Sequence, residues 1–152
     1  MFSLIISIIA IALVAALALA SIYYGGDAFQ EGTAKAEAST VINQGQQVQA
    51  AFTMAEIDEK DEVAGGITLA TLVSDGYLKE NPQVRNNGGW SVDSANDVVT
   101  QSVHSAEVCA HIEAGFDGEN TVENVAAVAD VVDLQAFGCF GDGTNHTAYY
   151  KL

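Results

Sequence analysis

The stretch that most constrains this chain is its beginning. Met1 to Tyr24, MFSLIISIIAIALVAALALASIYY, contain no charge, no Pro and no Gly, and the first charged side chain is Asp27. At about 1.5 Å rise per residue, a helix of that length covers the roughly 30 Å hydrocarbon core of a bilayer. No Lys or Arg precedes the run, whereas a secretory signal wants a basic flank. Ala10, Ala12, Ala15, Ala16, Ala18 and Ala20 make it rich in small residues, which let helices approach closely in an apolar medium. Two readings follow. One is a plain single-pass anchor. The other is a helix that leaves the membrane and packs against copies of itself.

Charge divides the chain at the same place. Of 152 residues, 20 are acidic and 5 basic, for a formal net charge of −15, and all of these lie beyond residue 26. The remainder has room for one modest acidic domain. Nucleic-acid binding is not expected, because phosphate backbones are neutralised by Lys and Arg. Anionic membrane surfaces are not expected as partners on the same ground. Cationic partners and divalent ions are electrostatically allowed, and solubility through self-repulsion is the simpler reading.

Gly25 and Gly26 close residues 1–26, the hydrophobic segment. Each glycine weakens a helix by about 1 kcal/mol relative to Ala, so the helix is expected to end, kink or stretch there. Over residues 27–57 the apolar pattern resumes. Ala34, Ala38, Val41, Gly45, Val48, Phe52 and Ala55 recur at spacings 4, 3, 4, 3, 4 and 3. That heptad stripe predicts an amphipathic helix, lying on a small sheet or pairing as a coiled coil. Val41, Val48 and Phe52 are its large members and the expected contacts to a sheet. The two stretches together predict one helix of about 55 residues, on the order of 80 Å long, loosened at Gly25 and Gly26. Half of it should protrude from so small a head.

Residues 58–152 form the acidic head. EIDEKDE, Glu56 to Glu62, reads as a solvated exit loop, because acids oppose the dipole at a helix C-terminus. Ile67, Leu69, Leu72 and Val73 predict a short apolar turn, with Gly76, Pro82 and Asn86-Asn87-Gly88-Gly89 marking turns. Strands are expected over Gly89–Asp93 and Asp97–Val103. Ser105 should cap a helix from Ala106 to Ala114, stopped by Gly115. In the segment Val122 to Phe137, Val125, Val128, Ala129 and Val132 have helical spacing, although its many valines also suit a strand. Cys139 opens a polar loop, Gly141 to Asn145, and Thr147 to Leu152 reads as a terminal strand.

Cys109 and Cys139 are the only cysteines. Beyond a membrane they would form a disulfide; in a reducing compartment they would remain thiols. Zinc binding with His104, His111 and His146 is disfavoured, since a helix turns Cys109 and His111 about 200° apart. GFDGEN and GDGTN are loose cation-loop candidates without the regular acidic spacing of a calcium loop. Asp117/Glu119 and Asp130/Asp133 read as solvated faces. Asn145-His146-Thr147 is a glycosylation sequon. There is no phosphate-binding glycine loop, and no motif supports a nucleophilic site.

The order of these features resembles the type IV pilin family, most closely the type IVb class. Met1 to Tyr24 resembles a mature pilin helix with its leader removed, and Ala34 to Ala55 its amphipathic half. Gly66 to Pro82 resembles the link from helix to sheet. Ser105 to Cys109 resembles the helix carrying the first cysteine, and Cys139 to Tyr150 the second cysteine and closing strand. The resemblance implies an α+β fold in which the long helix packs on a small antiparallel sheet. It implies no enzyme activity and no cofactor. It further implies inner-membrane storage, processing and methylation at Met1 by a prepilin peptidase, and hand-over to an assembly machinery. The expected product is a helical homo-oligomer displayed as a surface filament serving adhesion, aggregation, motility or conjugative contact. Phe2, Leu4, Ile5, Ile8, Ile9, Ala12, Ala16 and Leu19 would pack in its core, with Gly25 and Gly26 giving flexibility and Cys109–Cys139 bracing the head. Ile5 stands where the family usually carries a glutamate that pairs with a neighbour's N-terminal amine, so docking here would rest on apolar packing alone. A pseudopilin of a secretion system, a monomeric membrane-anchored binding module and a small anchored enzyme are the alternatives.

Overall fold

A computed structural model describes residues 2–58, 66–85, 87–116, 118, 122, 125–131 and 135–152. Helix α1 runs over Phe2–Ile57, through Gly25 and Gly26 without a break. The single long helix expected from the two stretches is therefore present, and neither glycine ends it. A Cβ added at either glycine would meet nothing within 4 Å, so no contact within the chain competes with the helical backbone there. Compactness divides the chain into two units, Met1–Thr33 and Ala34–Leu152.

The second unit holds every buried residue among those described. All seven stripe residues, Ala34 to Ala55, are buried. The stripe is thus spent on the head rather than left for a free coiled coil. Its small members are explained by what faces them. The Tyr150 ring lies where a Cβ of Gly45 would be.

Four antiparallel strands receive the helix in the order β1-β2-β4-β3, with β1 Ser91–Asp93, β2 Val98–Val103, β3 Phe137–Gly141 and β4 His146–Lys151. The register pairs Val99 with Tyr150 and Cys139 with Ala148. Alternation then sends Val99, Val103, Ala148, Tyr150 and Cys139 into one core with the α1 stripe. The opposite face sends Val98, Phe140 and Tyr149 into a second cluster, covered by Val125, Val128 and Val131. Both faces of the sheet are therefore closed.

Three sequence expectations are corrected here. The described part of Val122–Phe137 is neither a long helix nor a strand: it is a 3-10 turn at Val128–Asp130 flanked by irregular chain, and β3 begins at Phe137. Val132 and Thr121 lie outside the described residues. Cys139 sits inside β3 instead of opening a loop. Helix α3, Ala106–Phe116, continues past Gly115, because that glycine serves as a contact: a Cβ there would come within 3.3 Å of Ile42 Cδ1 on α1.

The remaining connections follow local chemistry. Short helix α2, Leu69–Ser74, starts at a Thr68 capping box closed by Thr71. Ser105 Oγ accepts from Val108 N at the start of α3. Asn81 grips the Trp90 backbone with two hydrogen bonds of 2.9 Å each, in space that Gly89 leaves open. The Trp90 indole donates to Gln44 Oε1.

Candidate assembly surface

The candidate surface is the apolar part of α1, taken within its own unit. A helix that is hydrophobic all round needs an apolar surrounding on every side. Every described side chain from Phe2 to Gly26 is exposed. Fifteen large apolar side chains from Phe2 to Phe29 are between 53% and 83% exposed, with Ile5 the least and Phe2 the most. The most apolar window has a mean hydropathy of 2.9 and none of it is buried, so α1 is long and apolar enough to cross a membrane.

Phe2, Leu4, Ile5, Ile8, Ile9, Ala12, Ala16 and Leu19 all lie on this surface. They share one side of the helix, and Ile6, Ile11, Val14 and Leu17 cover the rest, so the apolar surface as a whole is a cylinder. Met1 lies outside the described residues. Ser7 Oγ donates to Ser3 O at 2.9 Å, so that hydroxyl makes no demand on an apolar partner. Tyr23 and Tyr24 meet edge to face, centroids 5.6 Å apart. No carboxylate lies in residues 2–26, and Ile5 keeps that part of the surface apolar.

In the head, Cys109 on α3 and Cys139 on β3 form a disulfide, with Cα atoms 5.3 Å apart. Both sulfurs are thereby consumed, which removes them from any zinc set with His104, His111 and His146. Val41, Val48 and Phe52 are buried in the core cluster of the head. Asp117, Glu119 and Asp133 lie outside the described residues, and Asp130 is exposed. In GDGTN, the Asp142 carboxylate accepts from Thr144 N and from Asn145 N and Nδ2, at 2.9, 2.7 and 3.1 Å. The amides of Asn145 and Thr144 hold its carboxyl down at about 2. That carboxylate serves its own turn.

Two polar anchors were not foreseen. Glu37 is buried on α1, where its Oε2 pairs with Arg85 Nε at 3.1 Å and its Oε1 accepts from His104 N at 3.3 Å. Near the helix end, the Tyr77 hydroxyl donates to Asp58 Oδ2 at 2.5 Å. This bond to a carboxylate pushes the Tyr77 pKa up to about 12. In each anchor the partners are far apart in sequence, and only the fold brings them together.

No family model matches the chain, and no curated protein or solved structure matches it either.

Proposed function

We propose that this chain is a structural subunit that polymerises into a type IV pilus-like surface filament. The observation that carries the reading is the exposed apolar cylinder of α1, in a chain whose head has a complete core of its own. Each large apolar side chain gains about 1.5–3 kcal/mol on leaving water. Fifteen of them therefore make solvation of this helix untenable. Lipid satisfies them in a stored subunit, and a bundle of identical helices satisfies them after assembly. The alanines suit the second environment, where close approach replaces the hydrophobic effect as the source of attraction. A heterologous contact that does not close gives a filament. On this reading the subunit waits in the inner membrane, and its disulfide-braced head faces the exterior afterwards. Adhesion, aggregation, motility and conjugative contact are the roles such a filament would serve. No residue is assigned a catalytic part.

Electron microscopy of sheared cell-surface material, with immunogold against the head, tests the proposal. Gold-decorated filaments are the expected result. Chain found only in the membrane fraction, under conditions that extend surface filaments, would favour a monomeric anchored binding module. Decoration confined to short periplasmic stubs would favour a pseudopilin.

A further inference from the structure

The connection between α2 and β1 holds Asn87-Gly88, the only Asn-Gly pair in the chain. Asn87 is half-buried and Gly88 is exposed. Gly88 has a φ of +80°, and a Cβ built on it would meet nothing within 4 Å, so the space beside its backbone is open. Among the described residues its N–H has no hydrogen-bond partner. The Asn87 side chain is tethered by one long bond, from Nδ2 to Ser102 O at 3.4 Å. Behind the turn, the buried Gln101 places Nε2 3.5 Å from Asn87 O and 3.2 Å from Gly88 O. Asn87 O and the Gly88 N–H belong to one peptide unit, so a donor beside that oxygen stabilises the anion left when the N–H loses its proton. The described Asp-Gly pairs differ. At Asp75-Gly76 the glycine N–H donates to Val73 O at 3.3 Å. At Asp142-Gly143 the carboxylate is engaged by the amides of Thr144 and Asn145, and an ionised carboxylate resists nucleophilic attack.

We propose that Asn87-Gly88 is a self-modification site, where the chain deamidates through a cyclic imide without an enzyme. The Gly88 amide nitrogen gives its proton to water or hydroxide and attacks Cγ of Asn87. A bond forms between Gly88 N and Cγ, and the Cγ–Nδ2 bond breaks. Nδ2 takes up a proton and leaves as ammonia. Water then opens the imide, its hydroxyl staying on the carbonyl carbon attacked and the ring nitrogen recovering a proton. Opening at Cγ leaves aspartate. Opening at the main-chain carbonyl leaves isoaspartate, whose backbone runs through the former side chain. Glycine suits the attacking position because a Cβ there would crowd the closing ring. The product carries one more negative charge than the −15 of the parent. It also sets a carboxylate oxygen where Nδ2 donated, facing the Ser102 carbonyl with no proton between two acceptors. The same turn carries Arg85, at φ +50°, which holds the buried Glu37. This reaction needs neither membrane nor filament.

The full chain in detergent is aged in heavy-oxygen water at about pH 8 and at about pH 6, beside a sample unfolded in guanidinium. Digestion in ordinary water with trypsin, after Arg85, and chymotrypsin, after Trp90, releases Asn86 to Trp90 for mass spectrometry. The expected result is that the folded sample yields this peptide with NH2 exchanged for OH, carrying one heavy oxygen, in separable aspartate and isoaspartate forms. Fragmentation should place the change on Asn87. The forms should accumulate roughly tenfold or more faster at the higher pH, because hydroxide drives loss of the Gly88 proton. The Asn87→Gln variant, which would have to close a larger ring, should stay unmodified at that position over the same time. An unchanged peptide from the folded chain overturns the proposal, as does conversion confined to the unfolded sample. Conversion on Asn86 instead, or aspartate without isoaspartate, which marks direct hydrolysis, overturns it equally.

Discussion

Gly45 occupies a position in the stripe where a larger apolar residue would be expected to strengthen the helix. Its real constraint is the Tyr150 ring, which is buried and stacked on Phe137 with centroids 5.4 Å apart. Gly45→Ala should gain up to about 1 kcal/mol of helix propensity but lose about 1–3 kcal/mol to overpacking. The expected outcome is a net loss in thermal unfolding, whereas Gly32→Ala, with nothing within 4 Å of its added Cβ, should be neutral or stabilising. Glu37 gives a second test. Arg85→Ala leaves a buried carboxylate with the His104 N–H as its remaining partner in that anchor, and should cost about 2–4 kcal/mol in denaturant unfolding. Glu37→Gln, which removes the charge but keeps the shape, should cost less. Asp142 supplies a pH signature. Its folded pKa of about 2 lies below the ordinary 3.8, so the turn's contribution is complete above about pH 4. It is lost as pH falls toward 2, because the unfolded chain takes up the proton first. Asp142→Asn should be less stable than the parent near neutral pH, and the difference should shrink through that window in acid titrations followed by circular dichroism.

At the scale of elements, the legible parts were those whose residues have one face to satisfy. Val41, Val48 and Phe52 on α1 announce their buried side by period. Strand β3 does not. Its sequence FGCFG has no β-branched residue, and Gly138 is needed because the Tyr149 hydroxyl and Glu113 occupy the space of its Cβ. The cover formed by Val125, Val128 and Val131 was misread for a related reason. Spacing of three fits a helix, but here it reflects an irregular segment dipping repeatedly onto Val98, Phe140 and Tyr149. The apolar surface of α1 was legible in full; the Glu37–Arg85 anchor was not, because its partners are far apart in sequence. The α3–β3 disulfide spans 30 residues, and in the loop-entropy account such a crosslink stabilises by about 3–4 kcal/mol. The Cys109→Ser/Cys139→Ser double variant should lose stability of that order in guanidinium titrations of the full chain in detergent. The parent in reductant should match it. An unchanged midpoint in both would mean that packing of α3 on β3 suffices.

For the whole molecule, the decisive question is which apolar environment the α1 cylinder meets, and one charge separates the two. Twelve large apolar residues from Phe2 to Ile22 contribute about −4 to −7 kcal/mol to insertion into a bilayer, at roughly −0.3 to −0.6 each. An aspartate near the middle costs about 2.5–3.5 kcal/mol on the same scale, so Ala12→Asp should remain in the membrane fraction. A bundle of identical helices responds differently. Every subunit then brings the same carboxylate into a water-free core, where like charges repel and no Lys, Arg or amine in residues 2–26 can pair with them. The expected outcome is normal membrane recovery of Ala12→Asp with filaments absent from sheared material, while Ala12→Ser, which adds a hydroxyl that can bond back to its own helix, still assembles. Filaments of Ala12→Asp at the parent's level would show that this part of α1 does not lie in a dry helical core, and the polymer reading of the cylinder would fail there, leaving the membrane as its only apolar surrounding.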